Sequence, residues 1–329
     1  MIFAMRIIVV GTGSIGKRHG RLLCELSEVS VELCEPNAAA LAACLRDEKE
    51  WAGGLATHTS FEDALVSQPD AMVLCTPHTL HAQQSIMALD ADVHVLCEKP
   101  MAATVEEARA MVEAETRAKR RAEARAGVAA PVLAVGFTLH YHPALRVIKR
   151  LIEDGELGQV CHVHWHIGSL RTLMNSKSDY QAGLAGALML DYAHQPDQLL
   201  WMVGERPSSV FAAGSQVGAL PKTSNPNVCA LTYSFPSGLV ATIHLNYIQH
   251  PDKGEVSVVG DKGWATLNMI PPGTQQVKIG RVSSFGNCGC VSKPALSVGS
   301  ERHREKERPT QKEPALEQYV SSSGDSFPF

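Results

Sequence analysis

Short apolar runs alternate with helix-like stretches through the first part of the chain. Residues 7–10, 29–34, 71–75, 93–97 and 132–135 are short, rich in branched side chains and too continuous to be half-exposed strands, the pattern of parallel strands covered on both faces. Between them, residues 38–47, 81–89 and 105–126 carry good helix formers, and parallel strands require such crossovers. The pattern predicts an α/β domain over residues 1–136, a doubly wound parallel sheet of the Rossmann type. Its last helix ends in a basic stretch from Arg117 to Arg125, expected to be a solvated helix end whose cations suit the dipole.

After a predicted helix at 143–153 the texture changes. Residues 160–168, 210–218, 228–235, 239–247, 255–260 and 264–268 are successive strand-like runs, separated by turn residues such as Pro236-Ser237-Gly238. A helix over 185–203 interrupts them, its regular part expected to start near His194 because Pro196 is tolerated only in a first turn. This predicts an α+β domain with a mostly antiparallel open sheet over residues 137–290. Beyond Asn268 the pattern weakens. Residues 299–313 are highly charged, and the stretch 291–329 is expected to be a disordered tail.

Composition narrows the function without identifying it. With 329 residues, 45% of them hydrophobic and 19% charged, the chain has the length and balance of a two-domain globular protein. A net charge of −4 supplies no general attraction to phosphate backbones or anionic lipids, so neither nucleic acid nor membrane is an expected partner. Nine cysteines, without regular spacing, argue for a reducing, cytoplasmic setting rather than a disulfide framework. No run approaches the roughly 18–20 apolar residues of a membrane span. The opening residues lead straight into a glycine turn and read as a buried strand rather than a leader.

The sharpest motif is Gly11-Thr12-Gly13-Ser14-Ile15-Gly16, placed between the first predicted strand and a helix. The first glycine permits a tight turn, the second lets a pyrophosphate approach the backbone, and the third lets helix and strand pack closely. Glu35 ends the next strand, nineteen positions beyond Gly16, where a carboxylate binds the adenosine ribose hydroxyls and repels a 2′-phosphate. No arginine follows in Pro36-Asn37-Ala38. NAD is therefore expected in preference to NADP. Glu32, on the same strand, reads as an ordinary polar strand residue.

Ligands of an open parallel sheet lie beyond the carboxyl ends of its strands. Thr76, Pro77 and His81 follow one such end, and Glu98, Lys99 and Pro100 another. Lys99, at a strand exit before a proline, is a candidate functional residue. In the second domain Asp191, His194 and Asp197 are spaced three apart; by themselves they fit a helix cap with a core histidine as well as a site. His162, His164 and His166 alternate along one strand. They suit a solvated or subunit-facing sheet surface better than a metal site, since no cysteine or carboxylate of that strand joins them on that face. No metal is expected.

Taken together, these residues resemble the Gfo/Idh/MocA family of sugar and polyol oxidoreductases. The resemblance rests on Gly11 to Gly16 with the following Lys17-Arg18-His19, Thr76-Pro77 with His81, Glu98-Lys99-Pro100, Tyr141-His142-Pro143, Gly155 to Gly158, and the series Asp191, His194, Asp197. It runs over about residues 5–270, and departs from the family in having Ala185-Gly186-Ala187 where a glycine cluster is usual. It implies NAD-dependent hydride transfer at a secondary alcohol of a sugar, cyclitol or sugar derivative. Lys99 and His194 would then flank the reacting carbon, and Asp191 would bind substrate hydroxyls. The cofactor would be held by Gly11, Gly13, Ser14, Ile15, Gly16, Glu35, Thr76, Pro77, His81 and Glu98. His194 suits the general base and Lys99 the oxygen-binding cation, although these roles can be exchanged. The resemblance also admits an NAD-dependent glycosidase or a non-catalytic NAD-binding sensor. A homodimer or homotetramer built through the second sheet is the expected assembly.

Overall fold

Four of the five apolar runs of the first half form the inner strands of a six-stranded sheet, and the fifth forms one of its edges. The computed structural model describes residues 4–125, 127, 129–174, 184, 186–218, 220, 223–270, 276–281, 291–292 and 296–297. By its contacts the chain divides into two compact units after Phe137.

In the first unit the elements run β1 (Met5–Val10), α1 (Ser14–Cys24), β2 (Val29–Cys34), α2 (Ala38–Asp47), α3 (Lys49–Ala52), β3 (Ala56–His58), α4 (Phe61–Val66), β4 (Ala71–Leu74), α5 (His78–Asp90), β5 (His94–Cys97), α6 (Val105–Glu123) and β6 (Leu133–Val135). All strand pairs are parallel, in the order β3-β2-β1-β4-β5-β6. The order reverses between β1 and β4, a switch point where the loops after the strands diverge and leave a crevice. Side chains on the two faces of the sheet enter separate cores: Ile8, Val10, Met72 and Leu74 one, Ile7, Val9, Val31 and Leu33 the other. That two-sided burial is why apolar residues dominate both faces of these strands.

Helix starts follow local chemistry. Asn37 caps α2 by accepting from the amides of Ala39 and Ala40, Ser60 caps α4, and Thr104 with Glu107 forms a reciprocal capping box at α6. The basic end of α6 is more than a solvated face. Arg117 reaches Asp90 at 3.2 Å, and Arg121 and Arg125 reach Asp92 at 2.8 and 2.7 Å, tying α6 to the end of α5. Glu32 is likewise more than a strand polar group. Its two oxygens meet Arg6 on β1 at 2.9 Å and His58 on β3 at 2.7 Å, so one carboxylate joins three strands.

The second unit opens with a 3-10 turn at Thr138–Tyr141 and continues α7 (Pro143–Glu153), β7 (Val160–Gly168), α8 (Leu170–Met174), α9 (Ala187–Asp191), α10 (His194–Val203), β8 (Ser209–Ser215), β9 (Val228–Ser234), β10 (Val240–Asn246), β11 (Lys253–Gly260), β12 (Gly263–Asn268) and β13 (Gln276–Arg281), with two-residue strands at Val291–Ser292 (β14) and Leu296–Ser297 (β15). The sheet order is β14-β13-β12-β11-β7-β10-β9-β8, with β15 also on β13. It is mixed: β7 and β10 pair in parallel and the other neighbours are antiparallel. Alternate residues such as Val163, Trp165, Ala241, Ile243, Leu245, Val256 and Val258 are buried with Leu145 and Ile148 of α7 and Leu199 and Met202 of α10. The other face holds His162, His164, His166 and His244, whose rings contact in sequence, with 4.7 Å between the centroids of His166 and His244.

The regular helix starts at His194 with Pro196 in its first turn, as expected, and the residues before it form a separate short helix, α9, that ends at Asp191. The sheet continues past Asn268, where the apolar pattern weakens, into β13. The expected disorder of 291–329 falls almost wholly outside the described residues. Among the described residues no helix is long and apolar enough to cross a membrane.

Candidate functional site

The glycine turn between β1 and α1 is fixed by space at two positions and left open at a third. Gly11 has φ +95°, and a Cβ there would lie 2.8 Å from the Cys75 carbonyl oxygen; at Gly16 it would lie 1.8 Å from the Gly11 carbonyl oxygen. Neither position takes a side chain. At Gly13 nothing lies within 4 Å of the corresponding point, so a ligand can reach the backbone there. The turn leads into α1 at Ser14, whose first turn, including Ile15 and Gly16, has no acidic residue and no side-chain cap. An N-terminus of that kind presents amide hydrogens to an anion.

Glu35 follows β2 and is drawn onto this turn. Its Oε2 accepts from the Thr12 amide at 2.9 Å and the Thr12 hydroxyl at 3.1 Å, and its Oε1 accepts from the Asn37 amide at 3.0 Å. A carboxylate thus stands beside an open backbone cradle, and the pair fits the ribose and pyrophosphate of a dinucleotide.

The loops after β4 and β5 border the same end of the sheet. Thr76 donates to Gln84 Oε1 at 2.7 Å, and Pro77 precedes the first turn of α5. His81 is buried, with Nδ1 2.8 Å from the Pro100 carbonyl oxygen and Nε2 2.9 Å from that of Thr76. It therefore joins the two loops. Glu98 is mostly buried, with Oε1 2.7 Å from His19 Nε2 and Oε2 accepting from the Lys99 amide at 3.1 Å. Burial pushes its carboxyl up, but the bond to His19, the imidazole charge and Lys99 together hold it below the usual carboxylate range.

In the second unit Asp191 ends α9 and His194 begins α10. The positive φ of Gly186, +81°, sets the start of α9, so the single glycine kept in Ala185-Gly186-Ala187 is the one whose backbone needs it. Tyr247, buried after β10, donates its hydroxyl to Asp191 Oδ2 in a short hydrogen bond. Burial and the neighbouring carboxylate both raise the Tyr247 phenol, so it remains a donor at neutral pH. Asp197 lies 2.6 Å from His140 Nε2, and the His140 ring stacks on Trp201 at 4.8 Å. Burial raises the Asp197 carboxyl although His140 opposes the shift. Among the described residues no group of three or more His, Cys, Asp or Glu is arranged to hold a metal ion.

Comparison with known proteins decides the family. The Gfo/Idh/MocA oxidoreductase family with an NAD-binding Rossmann fold matches residues 5–125, and the Gfo/Idh/MocA C-terminal domain matches residues 145–266. The chain belongs to the Gfo/Idh/MocA oxidoreductase family. It is an NAD-binding oxidoreductase with a Rossmann fold. Inositol 2-dehydrogenase of Corynebacterium glutamicum is 26% identical over 282 residues, 84% of this chain and 77% of that protein. Inositol 2-dehydrogenase of Pseudomonas savastanoi is 26% identical over 288 residues, 86% of this chain and 79% of that protein. Among solved structures, the WlbA dehydrogenase of Bordetella pertussis, crystallised with NADH and UDP-GlcNAcA, superposes with a TM-score of 0.67 at 25% identity, covering 81% of this chain and 74% of that one.

The sequence assigns no role of their own to three residues that bond the candidate side chains. His19 has a signal, since it closes the Lys17-Arg18-His19 stretch after the glycine motif. His140 has a weaker one, next to Tyr141-His142-Pro143. Tyr247 has none, because a tyrosine at the end of an apolar strand looks like core.

Proposed function

We propose that the protein oxidises a secondary alcohol of a sugar, cyclitol or sugar derivative with NAD. The observation that carries this is Lys99 at the exit of β5, on the same end of the sheet as the Gly13 cradle and Glu35. A cation there suits a reacting oxygen that gains negative charge. The names of the relatives, inositol 2-dehydrogenases and a dehydrogenase crystallised with a sugar nucleotide, support the substrate class.

Oxidising an alcohol removes a hydride from carbon and a proton from oxygen. Bound NAD supplies the hydride acceptor. His194 takes the hydroxyl proton as general base, Lys99 binds the oxygen and stabilises its charge, and Asp191, oriented by Tyr247, receives substrate hydroxyls. Ser14, Ile15 and Gly16 line the pyrophosphate seat with Gly11 and Gly13. Glu35 binds the adenosine ribose and sets NAD over NADP, and Thr76, Pro77, His81 and Glu98 shape the wall beside them. Self-association through the second sheet, on its histidine-bearing face, and residence in a reducing cytoplasm complete this proposal. The free thiols among the described residues support the second point.

The test is a screen of inositols, aldoses, polyols and sugar nucleotides with NAD, read as NADH absorbance at 340 nm. Sustained absorbance growth with one of these classes is the expected result. Cleavage of a glycoside without net NADH would replace the dehydrogenase with a glycosidase. NAD and sugar binding without any turnover would replace it with a sensor.

A further inference from the structure

The Glu98 side chain is only 16% exposed, and its carboxylate is held from three sides. His19 Nε2 stands 2.7 Å from Oε1, the Lys99 amide donates to Oε2 at 3.1 Å, and Gly136 leaves so little room that a Cβ there would lie 3.1 Å from the carboxyl group. His19 lies on the second turn of α1, the helix whose N-terminus forms the anion cradle. A continuous hydrogen-bonded link therefore runs from the cofactor helix, through one buried carboxylate, to the backbone that carries Lys99.

We infer that His19 is a positioning residue for Lys99, acting through Glu98. A buried carboxylate with both oxygens committed cannot swing without leaving a donor unpaired, which makes the link stiff. The link registers the Lys99 loop against the helix that seats the pyrophosphate. Catalysis depends on such registration, since sub-ångström misplacement of a reacting group slows turnover while leaving binding nearly intact. This inference rests on the dehydrogenase proposal for its effect on turnover, but the link to Lys99 can be measured without it.

The experiment uses the full chain carrying lysine labelled with 13C at Cε, with the Lys99 signal assigned by its absence in Lys99→Arg. His19→Leu removes the donor, His19→Gln keeps one at the Nε2 position, and Glu98→Gln exchanges one acceptor oxygen for an amide. In His19→Leu and Glu98→Gln the Lys99 signal is expected to shift and broaden. In His19→Gln it should return toward its original position. With the substrate found for the unaltered protein, His19→Leu should lower kcat by about 10- to 100-fold and change KM for NAD by less than about threefold, with His19→Gln recovering most of kcat. A Lys99 signal unmoved in a folded His19→Leu protein overturns the inference. If that variant does not fold, an unmoved signal in Glu98→Gln overturns it equally. Should the unaltered protein turn over none of the sugars, the dehydrogenase proposal fails and the Lys99 signal alone decides the role of His19.

Discussion

Single side chains carry the sharpest consequences. Lys99→Met removes the cation at the exit of β5 but leaves the glycine cradle untouched. Turnover should fall by at least about a hundredfold while NAD affinity, measured by fluorescence titration, stays nearly constant. His194→Asn should lower turnover to a similar extent and flatten the pH dependence of kcat near neutrality. An unchanged profile would move the base role to Lys99. Glu35→Ser removes an anion that the Thr12 and Asn37 amides hold against the glycine turn. The preference for NAD over NADP should narrow, because both the ribose acceptor and the repulsion of a 2′-phosphate are lost. A preference that does not change in the ratio of the two Kd values would place cofactor choice elsewhere.

At the scale of elements, Glu32 shows how a strand residue becomes a clamp. It joins β1 through Arg6 and β3 through His58, so Glu32→Leu takes the carboxylate from His58 and leaves Arg6 only its bonds to Ser67 and Gln68. We expect a loss of about 1–3 kcal/mol, seen as a lower midpoint in urea, with Arg6→Leu partly non-additive to it. The pattern of apolar positions is enough to read the inner strands of the first unit and α2, α6 and α7, because their burial is two-sided or strictly periodic. It is not enough for β3, whose three residues lie at a sheet edge with Ala56 and Thr57 exposed. Nor does a period of two encode strand direction. The parallel pairing of β7 with β10 follows from the path of the chain between Gly168 and Val240, which among the described residues passes through three helices and two strands instead of a tight hairpin. The candidate site divides in the same way. Gly11, Gly13, Gly16, Glu35 and Lys99 can be read locally because each answers to a backbone or charge requirement at a strand end. His19, His140 and Tyr247 act on Glu98, Asp197 and Asp191, far away in sequence, and only folding brings those pairs together.

For the molecule as a whole, the titrating carboxylates set a response to acid that differs between the two units. In the first, Glu32 and Glu98 have carboxyls lowered by folding. Their contribution is present above the unfolded value of about 4.3 and is lost as pH falls through the lower folded values. In the second, the Asp197 carboxyl is raised, so its contribution has the opposite sign and is lost as pH rises through that raised value. Hydrogen exchange should therefore show the first unit opening before the second as pH drops below about 4. Simultaneous loss of protection would mean that these groups do not govern acid unfolding. The buried and half-buried thiols near the strand ends have a consequence for chemical modification. Cys34 and Cys97 are pushed up to about 12 by burial, and the Cys75 thiol is also strongly raised. At pH 8 a thiol of that kind is ionised to about one part in ten thousand, and alkylating agents attack the thiolate. Iodoacetamide should thus mark the exposed Cys161 fastest and the exposed Cys24, whose thiol is raised by partial burial, more slowly, and spare the three thiols around the cradle, so that the cradle itself stays unmodified in an alkylated protein and resists the mild oxidants that disable enzymes with reactive cysteines.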